Sequence, residues 1–342
     1  MAQPADGSRL TVAVTGPTGD IGRSVIRALE RSPRVGRIVG MARRPFDPRA
    51  HGWKRTEYRR GDVLDRGSVD ELVAGADVVV HLAFIIFGGR EETRAINLQG
   101  SRNVFEAAVA AGAKRLVYTS SVAAYGFHDD NPDVLTEDVP SRGTREFYYS
   151  AQKAELEALL DDVVAGSATE AFVFRPCIVG GRDAPTLVEG FTGQTILGSR
   201  VRPLWRALDS APLIGPVLPD TGTPFQLVHH DDVATAIRAA VVGQGAPGTY
   251  NLAAEAPITV GDVAEALGWR SIRIPRAALG ALAELLSRAP LVPAQARWIN
   301  AIRKPVLMDT AKARHELRWR PAHDARRTLR ETVAGARAAG VI

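Results

Sequence analysis

The chain has 342 residues, 45% of them hydrophobic, enough for a large core or for one domain with a smaller appended lobe. Its 43 basic residues are scattered among 38 acidic ones, giving a net charge of +5 without a long basic run or an interleaved aromatic stripe, which argues against a nucleic-acid partner. A single cysteine, Cys177, rules out an intrachain disulfide, and no uninterrupted apolar run spans a bilayer, so a cytoplasmic protein without membrane contact is expected.

In chain order, Leu10 to Thr15 is an apolar, β-branched run that predicts a first strand. Gly16-Pro17-Thr18-Gly19-Asp20-Ile21-Gly22 follows, and Ile21, Val25, Ile26 and Leu29 then recur at helical spacing. Strand, glycine turn and helix occur in the order that a dinucleotide pyrophosphate requires: Gly16 for the tight turn, Gly19 for close approach of the phosphates, Gly22 for helix packing. The spacing is G-x-x-G-x-x-G, which differs from the standard G-x-G-x-x-G. Further strands are predicted at Arg37 to Met41, Glu57 to Arg60, Val78 to Leu82, Leu116 to Ser120 and Phe172 to Arg175, with helical patterns between them. This alternation predicts an α/β fold, a doubly wound parallel sheet covered on both faces. After Pro176 the rhythm fails. Pro- and Gly-rich stretches from Gly180 to Pro224 and from Ala256 to Pro305 read as additions at the carboxyl edge of the sheet, while Gln226 to Val241 and Thr249 to Leu252 are expected to return to it. The expected division is a dinucleotide domain over 1–180, rejoined by about 225–252, and a smaller, mostly helical substrate lobe over 181–224 and 253–342.

Tyr149 and Lys153 form Y-x-x-x-K in a helical stretch, downstream of Ser121 at a strand end. Four residues on a helix bring a phenol and an ammonium to one face, where the cation is expected to lower the phenol's pKa from about 10 towards neutrality. The end of the second strand, Met41-Ala42-Arg43-Arg44, has Ala42 where an NAD-selecting fold usually has a carboxylate, followed by two guanidinium groups suited to a 2′-phosphate. NADP(H) is therefore favoured, with NAD(H) the alternative.

These segments, with Gly61-Asp62-Val63, His81-Leu82-Ala83, Asn97 in NLQGSRNVFEAA, YTSSVAAYG from Tyr118, FRPCIVGG from Phe174, LVHHDDVATAI from Leu227 and GTYNLA from Gly248, resemble the extended short-chain dehydrogenase/reductases, the NAD-dependent epimerase/dehydratase family. The resemblance runs almost end to end. It implies a cofactor site formed by Gly16, Thr18, Gly19, Asp20, Ile21, Gly22, Asp62, Val63, Leu82, Ala83, Asn97, Tyr149, Lys153, Pro176 and Val179. It also implies catalysis by Ser121, Tyr149 and Lys153, with Ser120 as the fallback hydroxyl, on a small-molecule substrate, and a possible homodimer.

Two departures narrow the reaction that the resemblance implies. The acidic pair of the sugar-nucleotide dehydratases is replaced here by Val122 and Ala123, and the diphosphate-binding arginine common in the epimerases is missing from Thr223-Pro224-Phe225-Gln226. The lobe segments are apolar, with Phe191, Leu204, Trp205, Leu279, Leu282 and Leu285, and Ala277 to Pro293 reads as a packed helix. The expected activity is interconversion of a carbonyl and a secondary alcohol on a fairly apolar small molecule. A sugar-nucleotide 4-epimerase with tightly held NAD and a non-catalytic dinucleotide sensor are the alternatives. No metal is expected: His229 and His230 are neighbours on a predicted strand and so point to opposite faces, and Asp231 or Asp232 is expected to cap the following helix.

Overall fold

The computed structural model describes residues 9–86, 90–185, 187–188, 216–275 and 305–342. The apolar lobe residues between 191 and 208 and between 277 and 293 lie outside these.

Strand β1 (Leu10–Thr15) leads through the glycine turn into α1 (Gly22–Glu30), and β2 (Val35–Ala42), β3 (Thr56–Arg60), α2 (Arg66–Val73) and β4 (Val78–His81) follow. Helix α3 (Arg90–Arg94) runs through a π-helical turn, Ala95–Gln99, into α4 (Gly100–Ala110). Next come β5 (Arg115–Thr119), a 3₁₀ turn at Val122–Tyr125, β6 (Val134–Leu135), α5 (Tyr148–Val164), β7 (Glu170–Pro176) and β8 (Ile178–Gly180). Strands β9 (Val217–Asp220) and β10 (Leu227–His229), helix α6 (His230–Val241), β11 (Gly248–Leu252), α7 (Val260–Leu267), β12 (Arg270–Arg273), β13 (Leu307–Met308) and α8 (Ala311–Glu316) lead to a C-terminal helix, Ala325–Ala338.

Seven strands form one parallel sheet in the order β11-β7-β5-β4-β1-β2-β3. The two-residue period of a strand explains why it is covered on both sides. Val12 and Val14 of β1, Val78 and Val80 of β4, Val117 of β5 and Phe172 and Phe174 of β7 enter one core with α1 and α6. Ala13, Val79, Leu116, Tyr118 and Val173 enter the other, beneath α2, α4 and α5. Strand order reverses between β1 and β4, and a parallel sheet of this kind opens its ligand crevice there, at the carboxyl ends of the strands.

The return of the late segments is half as expected. Gly248–Leu252 does join the main sheet, alongside β7. Leu227–His229 does not: it pairs with β8 in a separate two-stranded sheet, and only α6 packs back onto the main sheet. The cause is local, since the chain crosses from Pro176 directly into Ile178–Gly180 and this short strand captures β10. A third core, including Leu187, Leu227, Ile258, Leu267, Trp269, Leu329 and Val333, joins the described later segments to the C-terminal helix.

Candidate active site

The glycine turn lies at the reversal point. Gly16 has φ +70°, and a Cβ there would come within 2.9 Å of the Ala83 nitrogen, so only glycine seats β1 against Leu82 and Ala83. Thr15 Oγ1 accepts from the Leu82 and Ala83 N–H groups and therefore donates to His81 Nδ1 at 2.7 Å; the opposite ring nitrogen, Nε2, donates to Ser101 at 2.8 Å. Burial drives the His81 pKa down to about 3, which makes it a neutral strut. Gly22 also has a packing role, because a Cβ there would lie 2.1 Å from the Gly16 oxygen. Gly19 differs. Its hypothetical Cβ meets only the Gly16 oxygen at 3.6 Å, and Gly19 and Asp20 are exposed ahead of α1, with Thr18 and Ile21 half-buried beside them.

Arg43 and Arg44 leave the end of β2 exposed, and their backbones are pinned from β3. Arg60 Nε donates to the Arg43 carbonyl at 3.1 Å, and the Tyr58 hydroxyl donates to the carbonyls of Ala42 and Arg44. Among the described residues neither guanidinium has a hydrogen-bond or ion-pair partner, so both are available to an anion at this edge.

Other expected cofactor contacts have internal duties. Asp62 closes a turn by accepting from Leu64 N–H at 3.0 Å, and the Val63 side chain packs into the core against Gly100. Asn97 is completely buried in the π-helical turn; its amide accepts from Ile85 N–H at 2.9 Å and donates to the Ile85 carbonyl at 2.9 Å and to Gln152 at 2.8 Å. Its polar atoms are thus spent on holding the segment after β4 to α5, a positioning role. Pro176 is buried opposite Leu252, and Val179 is half-buried in β8.

Ser121, Tyr149 and Lys153 converge. Ser121 caps the 3₁₀ turn, accepting from Ala123 N–H at 3.2 Å, and its hydroxyl is near enough to Tyr149 to favour the ionised phenol. Lys153 is one helical turn further along α5 and buried; its Nζ donates to the Thr119 carbonyl at 2.9 Å and the Tyr118 hydroxyl at 3.2 Å and lies 3.7 Å from the centre of the Phe84 ring. Burial lowers its pKa to about 7, with Glu157 opposing the fall. One expectation fails here. Tyr149 stands above the ordinary phenol value because burial outweighs the influence of the neighbouring Ser121 hydroxyl, and Lys153, 5.9 Å from its ring centre, donates to Tyr118 and Thr119. Ser120 is no substitute for Ser121: its hydroxyl turns away to Glu157 at 2.5 Å.

An aromatic border surrounds Tyr149. Phe84 meets it edge-on at 5.5 Å, Phe147 lies at 5.7 Å, Phe127 flanks Phe147 at 6.0 Å, and the Tyr148 hydroxyl donates to the Ile86 carbonyl at 2.7 Å beside the exposed Ile86 side chain. Sequence reasoning missed Phe84, Phe127 and Phe147, and also Glu157 and Arg175. The last two left a signal: Arg175 is the one charge in an apolar strand, and Glu157 continues the Tyr149, Lys153 stripe at i+4.

The histidines do not lie as expected. Because the chain turns into α6 at His230, the His229 and His230 rings are 4.1 Å apart, and ligand atoms of His229, His230 and Asp231, or of His229, His323 and Glu331, gather within 4.8 Å. The helix cap is His229 itself, whose Nδ1 accepts from Asp231 N–H at 3.1 Å. This leaves its Nε2 protonated and donating to Glu331 at 3.2 Å, and the His323 ring stacks parallel to it at 3.9 Å, so their in-plane lone pairs cannot converge on one ion. Asp232 accepts from Ala322 N–H, His323 N–H and His323 Nδ1, which ties the tail to α6.

A seven-stranded parallel sheet with a glycine turn at its reversal point defines a Rossmann-type α/β fold. The NAD dependent epimerase/dehydratase family model matches residues 12–253, and the chain belongs to that family. Human 3 beta-hydroxysteroid dehydrogenase type 7 is 35% identical over 175 residues, 47% of this chain and 46% of that protein, so the match spans about half of each. The crystal structure of gox2253 superposes with a TM-score of 0.72 at 24% identity, covering 97% of this chain and 99% of that one. MoeE5 in complex with UDP-glucuronic acid and NAD gives 0.66 at 21% identity, covering 96% and 99%. Among the described residues no helix is long and apolar enough to cross a membrane.

Proposed function

We propose that the protein is an NADP(H)-preferring oxidoreductase that interconverts a carbonyl and a secondary alcohol on a fairly apolar small molecule. The observation that carries this reading is the placement of Tyr149 and Lys153 one turn apart on α5 beside the Thr119–Ser121 strand exit, with a border of Phe84, Phe127, Phe147 and Ile86 around Tyr149. The open space at Gly19, facing the N-terminus of α1, fits a pyrophosphate, and the exposed Arg43 and Arg44 fit a 2′-phosphate. Bound there, the nicotinamide cofactor supplies or accepts the hydride.

The chain's own residues handle the proton. Ser121 Oγ orients the reacting oxygen by a hydrogen bond, and Tyr149 Oη donates its proton to that oxygen in reduction or withdraws it in oxidation. Burial raises the Tyr149 phenol above its ordinary range, so it stays protonated at neutral pH and enters reduction with its proton in place. Lys153, one turn along α5 from Tyr149, donates to the Thr119 carbonyl and the Tyr118 hydroxyl and so braces the strand exit that carries Ser121.

The apolar border and the steroid named in the human relative both favour apolar ketones or alcohols over sugar nucleotides. In the Thr223–Gln226 segment, near which an epimerase-type arginine would be expected, Gln226 is occupied in clamping Met308 through Met308 N–H to Oε1 at 2.7 Å and Nε2 to the carbonyl at 3.3 Å. The substrate lobe is assigned to 181–224 and 253–342, and the compartment is taken to be the cytoplasm. The test is turnover of a panel of 3-ketosteroids and long-chain ketones with NADPH, set against UDP-sugars with NAD. Turnover of the ketones supports the reading; 4-epimerisation of a UDP-sugar with cofactor retained through purification would replace it.

A further inference from the structure

Behind the Ser121, Tyr149 and Lys153 constellation is a buried ion pair that the chemistry above does not use. Glu157 follows Lys153 by one helical turn on α5, and both Glu157 and Arg175 of β7 are at least 95% buried. The Glu157 carboxylate accepts from Arg175 Nε at 3.0 Å, from its terminal nitrogen at 2.5 Å and from the Ser120 hydroxyl at 2.5 Å. The guanidinium lies 4.3 Å from the centre of the Tyr125 ring, whose hydroxyl donates to Asn251 at 2.8 Å. A buried ion pair is a weak source of net stability, because desolvation offsets most of its attraction. Here each end reaches the site: Ser120 stands between Thr119, whose carbonyl receives the Lys153 ammonium, and Ser121, whose hydroxyl neighbours Tyr149.

We propose that Glu157, held by Arg175, is a positioning residue that fixes the Thr119–Ser121 strand exit against α5, and with it the carbonyl that receives the Lys153 ammonium. The inference rests on the roles given above to Tyr149 and Lys153. The groups that face Lys153 are His81 from β4, Phe84 from the segment after it, Tyr118 and the Thr119 carbonyl from β5, and Tyr149 and Glu157 from α5. Among these, buried His81 is neutral and Tyr118 is held far above the usual phenol range, so Glu157 is the anion of the set. Asp161 and Arg175 adjoin Glu157 from the far side.

The chain contains only five lysines, so ¹³C-lysine labelling of the full-length protein allows Lys153 to be titrated by NMR, with Lys153→Met providing the assignment. Glu157→Gln with Arg175→Gln removes both charges together. Glu157→Leu with Arg175→Met is the second variant, since apolar replacement of a buried pair commonly preserves folding. In either folded variant the Lys153 midpoint should fall by about one pH unit or more, because a buried ammonium loses its anion and the fixed carbonyl that receives it. An unchanged midpoint with native circular dichroism overturns the proposal. The readout needs no substrate, so its failure is distinct from failure of Tyr149→Phe to lower turnover, which would overturn the catalytic reading itself.

Discussion

Gly19 and Gly22 belong to the same motif, yet the structure gives them separable roles, and alanine at each position tests this. At Gly19 the backbone is not left-handed and the new methyl meets only the Gly16 oxygen at 3.6 Å, an ordinary contact. Folding should therefore be unharmed or slightly favoured, by about 0.4–1 kcal/mol, because alanine restricts the unfolded chain. The same methyl occupies the space through which a pyrophosphate would approach the N-terminus of α1. Loss of one or two charge-assisted hydrogen bonds there, each worth about 1.5–3 kcal/mol, weakens cofactor binding by roughly tenfold or more. At Gly22 the methyl would lie 2.1 Å from the Gly16 oxygen and 2.7 Å from the Pro17 carbonyl carbon, so the turn must move and stability should fall by roughly 1–3 kcal/mol. Thermal melts and NADPH fluorescence titrations on both variants form the assay. If Gly19→Ala binds NADPH as tightly as the native protein, the glycine turn is not the phosphate seat.

Arg43→Ala should weaken NADPH by about tenfold and leave NADH unchanged, with the difference shrinking as salt rises, because the guanidinium is exposed and screened; paired titrations at low and high salt check this, and equal native affinities for the two cofactors would make NAD the better assignment. Lys153 carries a pH signature in stability: with its pKa at about 7 when folded against 10.5 in the unfolded chain, the unfolded state binds the extra proton between those values, so native stability gains from rising pH across that window. Lys153→Met lacks this dependence, so its melting temperature relative to the native protein should be highest at pH 7 and below and should decline towards pH 10; a constant difference would mean that the buried lysine titrates normally. Gln226→Arg should not create UDP-sugar binding, since Gln226 is engaged with Met308; micromolar UDP-sugar affinity in this variant, measured by calorimetry, would show that the position faces the substrate.

The inner strands of the main sheet were legible because they are buried on both faces and read as nearly continuous apolar runs, whereas the edge strand β3, TEYRR, has no fully buried residue; β1 is found at its predicted limits and the others within two residues. The positions of Tyr149 and Lys153 one turn apart on α5 and of Ser121 just after β5 were legible from helical spacing and a strand end. What escaped depends on contacts distant in sequence. The capture of β10 by β8 rests on two three-residue strands whose pairing no periodicity reveals. Asn97 points to Ile85 and Gln152 because a π-helical turn rotates it, and α6 begins at His230 because an imidazole, not a carboxylate, caps it. The direction of the Tyr149 pKa was misjudged because spacing brings an ammonium near a phenol without showing that Thr119 and Tyr118 have already taken its hydrogen bonds.

The most direct test of the account follows the hydride and the proton together. With 4-deuterated NADPH and the panel of apolar ketones, native protein should place one deuterium on the carbinol carbon per turnover, read by mass spectrometry. Tyr149→Phe should retain cofactor affinity while turnover falls by about 10²-fold or more. Label transfer that proceeds equally well in Tyr149→Phe, or no transfer to any ketone while UDP-sugars are epimerised, would contradict it.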